Sequence, residues 1–190
     1  MGILPLLAAL VAPSASHGRP LTDGERAFLA PLFRDAVDYD AVRIVRGPAF
    51  PLQGRRTIVT LGRAIYAPTS VYVADYARAA PERRAILVHE VAHVWQFESG
   101  IAVIAGALRA FFASGGRYSR AYRYQLTPGR DLIDYGIEQQ ASILEHYFLA
   151  RGTDQVRYAG VLRRFLDDPR YPRRRTASAT PRPGRRAPRR

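Results

Sequence analysis

The chain contains no cysteine, so disulfides and thiolate metal sites are both excluded, and any bound metal must be held by imidazole and carboxylate groups. Lysine is absent as well. All 29 basic residues are arginine, a bias that reads as coding composition and carries no function. Long apolar runs are also missing. The stretch from Ile3 to Ala12 is too short for a confident membrane span, and the run from Ile101 to Ala113 is interrupted by Gly106 and Arg109. An integral membrane protein is therefore not expected. No internal repeat is visible, and 190 residues suffice for one domain with its own core plus tails.

Only four histidines are present, and two of them fall in His89-Glu90-Val91-Ala92-His93, an HExxH motif. On a helix, residues four apart share one face, so both imidazoles reach a single metal ion, zinc being the natural guest. The intervening Glu90 points to a neighbouring side, where it can act as general base toward a water activated by the metal. With so few His and Glu in the chain, random order would give this motif in roughly a few sequences per thousand. Pro81 and Glu82 open a helix expected over residues 81 to 98, and Ile86, Leu87, Val88, Val91, Val94 and Trp95 make it apolar at helical spacing. Buried polar groups left unpaired are destabilising by about 1–3 kcal/mol each, a penalty that metal ligation removes.

A catalytic zinc site needs a third protein ligand. The remaining histidines are His17, in a doubtful leader, and His146. Glu138 is the better candidate, on a second buried helix expected from Leu132 to Ala150 and closed by Arg151-Gly152; the alternative is a solvated helix carboxylate. His146, eight residues on, falls on the same half of that helix, either near the metal as a hydrogen-bond donor or as a satisfied core residue.

HExxH followed by a glutamate on a later helix resembles the gluzincin group of zinc metallopeptidases, and Glu138-Gln139-Gln140-Ala141 is similar to the Glu-x-x-Ala-Asp element of their membrane-bound members. Residues from about 20 to 150 resemble the peptidase-like core domain of extracellular contractile injection system (eCIS) proteins, and more narrowly the small bacterial proteins labelled Vgr-related. The matching pieces are Leu21-Thr22-Asp23 leading into Arg26-Ala27-Phe28, the run Tyr39 to Ile44, Ile65-Tyr66, Leu87 to Gln96, and Tyr135 to Ala141. The resemblance implies a zincin-like fold, one zinc ion, His89, His93 and Glu138 as its ligands, Glu90 as general base, and a peptide or protein substrate. It also implies an alternative, a weak or inactive peptidase-like module serving a secretion or contractile injection apparatus. One position departs from the pattern. Ser142 stands where the gluzincin element has an aspartate, so the carboxylate that would orient a ligand histidine is missing there, with Asp134 and Asp131 as possible substitutes. Loss of such a partner typically lowers metal affinity or activity about 10 to 100 fold.

The expected layout is α+β: a small N-terminal antiparallel sheet, then a helical subdomain carrying the two ligand-bearing helices. A first helix is capped by Thr22 or Asp23 and runs to about Val37. Strands are expected at Val42–Val45, Thr57–Leu61, Ala64–Tyr66 and Val71–Val73, and further helices over 101–114 and 154–167. Arg63 to Tyr66 is the candidate edge strand for gripping extended peptide, with a plain packing strand as the alternative. Between the ligand-bearing helices, Gly115 to Tyr124 is rich in Arg and Tyr; it and Tyr135 are candidate donors toward a developing oxyanion, or simply solvated loop.

Residues 1–19 form an apolar leader, a possible signal sequence that would mean export; without it the bacterial cytoplasm is expected. The domain is expected over 20–168. From residue 169 the composition turns to Pro, Arg, Ser, Thr and Ala, with nine Arg and no acid between Arg170 and Arg190. Such a tail either solubilises or attaches non-specifically to nucleic acid and anionic surfaces. The 20 Arg and 16 acids of the body leave it only +4 of the total +13, so the overall charge is no argument for a nucleic-acid-binding fold.

Overall fold

The computed structural model describes residues 18–51, 53–101 and 122–173. The leader up to residue 17, the helix expected over 101–114, residues 115–121 of the Arg/Tyr segment and the tail from 174 lie outside the described residues.

Helix α1 (Asp23–Phe33) begins where the sequence says it must. Thr22 Oγ1 accepts from the Glu25 amide at 3.1 Å and the Glu25 carboxylate accepts from the Thr22 amide at 2.8 Å, a reciprocal cap that satisfies two end-of-helix donors. Glu25 is wholly buried, and its charge is answered by Arg19 at 2.7 Å and by the Tyr76 amide at 2.8 Å. The helix ends four residues earlier than expected, at Arg34 (φ 49°). The Arg34 guanidinium donates to the carbonyls of Leu166 and Asp167 at 2.6 and 2.7 Å.

Strands β1 (Arg43–Arg46), β2 (Val59–Leu61) and β3 (Ala64–Ala67) form a small N-terminal sheet in the order β1-β3-β2. β2 and β3 make the expected antiparallel hairpin, turning through Gly62 and Arg63, with Gly62 at φ +61° in the first central position, where a two-residue hairpin favours glycine. β1 pairs with β3 in parallel, so the sheet is mixed rather than purely antiparallel. This order also corrects the edge-strand expectation. Arg63 to Tyr66 falls on the central strand, whose two hydrogen-bonding edges are both taken. Arg19 bridges to Ile44 on the far side of β1, which leaves β2 with the open edge among the described residues. Val71–Val73 is not a strand, because the amides of Val71 and Tyr72 both turn back to the Pro68 carbonyl at 2.9 Å.

Helix α2 (Pro81–Glu98) has the expected bounds and is the core of the molecule, with every residue from Leu87 to Gln96 buried. Trp95 packs edge-on against Phe165 at 5.1 Å, and Phe33 meets the same ring at 5.9 Å. The single helix expected over 132–150 is divided. Leu132–Asp134 forms a 3-10 turn, Tyr135 and Gly136 are extended, and α3 (Ile137–Leu149) starts anew. Local polar groups cause the break: Asp134 accepts from the Asp131 amide at 3.1 Å and Gln139 accepts from the Gly136 amide at 3.1 Å. Glu138 is thereby placed in the first turn of α3, where the helix dipole favours a carboxylate. Gly152 opens α4 (Gly152–Asp167) at φ +57° rather than serving as the expected cap; Ala150 closes α3.

The packed structure extends beyond the expected domain limits at both ends. Arg19 is bound as described, and Pro169, Tyr171 and Arg173 contact the body. Trp95 Nε1 donates to the Pro169 carbonyl at 2.8 Å, the Tyr171 hydroxyl to Asp131 at 2.6 Å, and Arg173 to the Ala36 carbonyl at 2.9 Å. Glu98 gathers the last of these contacts, accepting from Arg63 at 2.6 Å, the Asp38 amide at 3.1 Å and Arg173 at 3.3 Å. No helix among the described residues is long and apolar enough to cross a membrane.

Candidate metal centre

Helix α2 puts His89 and His93 on one face, with ring centroids 5.0 Å apart, and α3 packs alongside so that Glu138 meets both. Glu138 Oε2 lies 3.5 Å from Nε2 of His89 and 3.4 Å from Nε2 of His93. Each residue offers one donor atom, all within 4.8 Å of one another, and all three residues are buried. These separations exceed an ordinary charge-assisted hydrogen bond of about 2.7–2.9 Å. They match the edge of a tetrahedron, since bonds of about 2.0–2.1 Å set donors roughly 3.3–3.4 Å apart. The three side chains form a cluster capable of coordinating one metal ion.

The charge around the cluster points the same way. Burial alone would lower the His89 pKa, but the Glu138 carboxylate close by, the hydrogen bond to Glu145 and the nearby Glu90 charge overcome it and raise the value to about 10. In the metal-free protein a proton therefore takes the place of a cation among carboxylates.

Each imidazole is held from behind. Nδ1 of His89 lies 3.0 Å from Glu145 Oε2, and Nδ1 of His93 lies 2.8 Å from Gln96 Oε1. Glu145 thus supplies the orienting carboxylate that Ser142 lacks. The suggested substitutes do not: Asp131 is engaged by Arg164 and Tyr171, and Asp134 by the Asp131 amide. Glu145 was missed, although its spacing of seven from Glu138, two helical turns on the same face, is a signal the sequence carries. Gln96, three residues after His93, carries a similar one.

Glu90 is buried beside His89 and accepts from the Thr60 hydroxyl at 2.6 Å, a bond reaching across from β2 that the sequence did not reveal. Tyr122, from the described end of the Arg/Tyr segment, places its ring 5.8 Å from that of His89, tilted by 34°. Tyr135 is not an available donor, since its hydroxyl accepts from the Thr127 amide at 3.0 Å and donates to the Gln125 carbonyl at 3.2 Å. His146 is exposed and bonded to the Tyr124 hydroxyl, in a groove with Tyr158 rather than at the cluster.

No protein-family model matches the chain. A curated relative, the type VI secretion system spike protein VgrG2b of Pseudomonas aeruginosa, is 35% identical over 162 residues, covering 80% of this chain and 16% of the spike protein. The solved structure of the effector domain of VgrG2b aligns with a TM-score of 0.68 at 31% identity, covering 85% of this chain and 91% of that domain. The chain belongs to the VgrG2b effector-domain family. It spans about one sixth of the curated spike's length, so the likeness is to the effector domain and not to the rest of the spike. The small sheet followed by helices bearing a His/His/Glu cluster is the zincin-like layout expected from the sequence.

Proposed function

We propose that the chain is a zinc-dependent metallopeptidase of the gluzincin type, with His89, His93 and Glu138 as zinc ligands and Glu90 as general base. The observation that carries this reading is three buried donors, with Glu138 at tetrahedral-edge distance from both imidazoles, and a second carboxylate, Glu90, held beside them but outside the ligand set. Cysteine being absent, the two imidazoles and one carboxylate give the donor chemistry of a catalytic zinc site that keeps one position open. When bound, zinc supplies a Lewis acid that polarises a scissile carbonyl and lowers the pKa of water toward about 7.

The chain's own residues do the rest. Glu90 takes up a proton at its carboxylate and passes it to the leaving amine, work that requires it to stay off the metal. Thr60 holds that carboxylate from β2, the strand with the open edge, so an extended peptide added to the sheet would lie next to the base. Tyr122, its ring 5.8 Å from that of His89, is the candidate donor to a developing oxyanion.

Zinc content of protein purified without added metal, together with cleavage of a mixed peptide library by wild type and Glu90→Gln, tests this. The expected result is about one zinc per chain in both, with cleavage by the variant reduced at least about a hundredfold. Equal cleavage by the two proteins would remove Glu90 from the mechanism. A second reading is favoured by kinship with a spike-borne domain: a metal-holding module that engages a secretion-system component without turnover. Bound zinc with no cleavage by either protein selects it.

A further inference from the structure

Behind His93 runs a chain of amides whose direction can be worked out from its ends. Gln140 Nε2 lies 2.7 Å from the Tyr135 carbonyl oxygen, and Gln96 Nε2 lies 2.8 Å from the Ile137 carbonyl oxygen and 3.0 Å from Gln140 Oε1. A backbone carbonyl can only accept, so both glutamines must present nitrogen to these carbonyls. That leaves Gln96 Oε1 facing His93 Nδ1 at 2.8 Å, and an amide oxygen can only accept there. His93 must then carry a hydrogen on Nδ1, which leaves Nε2, the nitrogen facing Glu138 Oε2, as the one a metal can take.

The same bonds cross between helices. Gln96 belongs to α2; Ile137 and Gln140 lie in the first turn of α3, with Glu138 between them. Both glutamines are buried, at 0% and 3% exposure, so reversing either amide would set oxygen against oxygen with no water to relieve it. We propose that Gln96 and Gln140 form a positioning relay that fixes which nitrogen of His93 faces the metal and sets the Glu138 helix in register with the histidine helix. The inference rests on the proposed metal site and adds two residues that touch no metal.

The test uses the full chain. Zinc Kd is measured by chelator competition for wild type, Gln96→Leu and Gln140→Leu, beside the melting temperature of each metal-free protein and the visible spectrum of each cobalt-loaded protein. The relay predicts that Gln96→Leu weakens zinc about 10 to 100 fold and alters the cobalt spectrum. Gln140→Leu should shift both in the same direction by less, although it removes nothing that touches a ligand. A role confined to packing would lower the melting temperatures and leave Kd and spectrum at wild-type values, and that result overturns the relay. Should Gln96→Leu fail to fold, Gln140→Leu decides by the same two readouts. Wild type that takes up no zinc would defeat the metal-site reading and this inference with it, whereas zinc bound equally by all three proteins would defeat the relay alone.

Discussion

Glu145 holds its carboxylate 3.0 Å from Nδ1 of His89, two helical turns beyond Glu138 on the same helix. The proposed carboxylate ligand and the residue that steadies one of the histidines are thus carried on one rigid element. Replacing Glu145 by Gln keeps a hydrogen-bond acceptor and removes the charge. Zinc affinity should fall about tenfold, and Glu145→Ala should bring it toward the hundredfold end, as isothermal titration or chelator competition will report. Unchanged affinity in both variants would mean that the contact does not serve the site.

The metal-free protein should be sensitive to alkali. His89 has a folded pKa of about 10, above the unfolded value of 6.5, so its protonation stabilises the fold fully below about pH 6.5 and that contribution is lost as pH rises toward 10. Melting temperature measured in chelator should decline across this window, and the decline should be shallower in Glu145→Gln. Zinc uptake at pH 8 should release protons, since the imidazole must give its lone pair to the metal.

Thr60→Val removes the hydroxyl that Glu90 accepts while keeping the shape of β2. A hydrogen bond to a charged group contributes about 1.5–3 kcal/mol, so peptide cleavage should drop by about ten to a hundredfold. Zinc content should stay at the wild-type level, and Thr60→Ser should recover most of the activity. Loss of zinc in Thr60→Val would place the residue in the metal site's architecture instead.

Truncation after Asp168 removes the carbonyl that Trp95 donates to and the buried Tyr171 ring with its bond to Asp131. The expected loss is about 2–4 kcal/mol, read as a lower denaturant midpoint. A chain ending at Arg173 retains these contacts and should not show it.

The bounds of α2 were legible because Pro81 starts it and the apolar residues that follow leave no competing period. Glu138 could be named from the same kind of pattern. What escaped was everything set by how separate elements meet. The reach of Thr60 to Glu90 depends on where β2 lies, and the placement of β3 at the centre depends on a parallel pairing with β1 that no local signal encodes. The break at Tyr135 and Gly136 was hidden because side chains of Asp134, Gln139 and Gln140 satisfy backbone groups there that a continuous helix would otherwise claim. The packed segment after 168 was masked by composition: proline and arginine read as tail, yet Tyr171 and Arg173 have partners waiting on the body.

The clamp on Glu98 has a bearing on how the molecule comes together. Its carboxylate joins the loop after α1, the β2–β3 hairpin and Arg173, three pieces separated by most of the chain's length. The last of them leaves the ribosome well after the histidine helix has been made, so Glu98 is first held by Arg63 and the Asp38 amide alone. Completion of this clamp therefore waits for Arg173, after helices α1 to α4 have all been made.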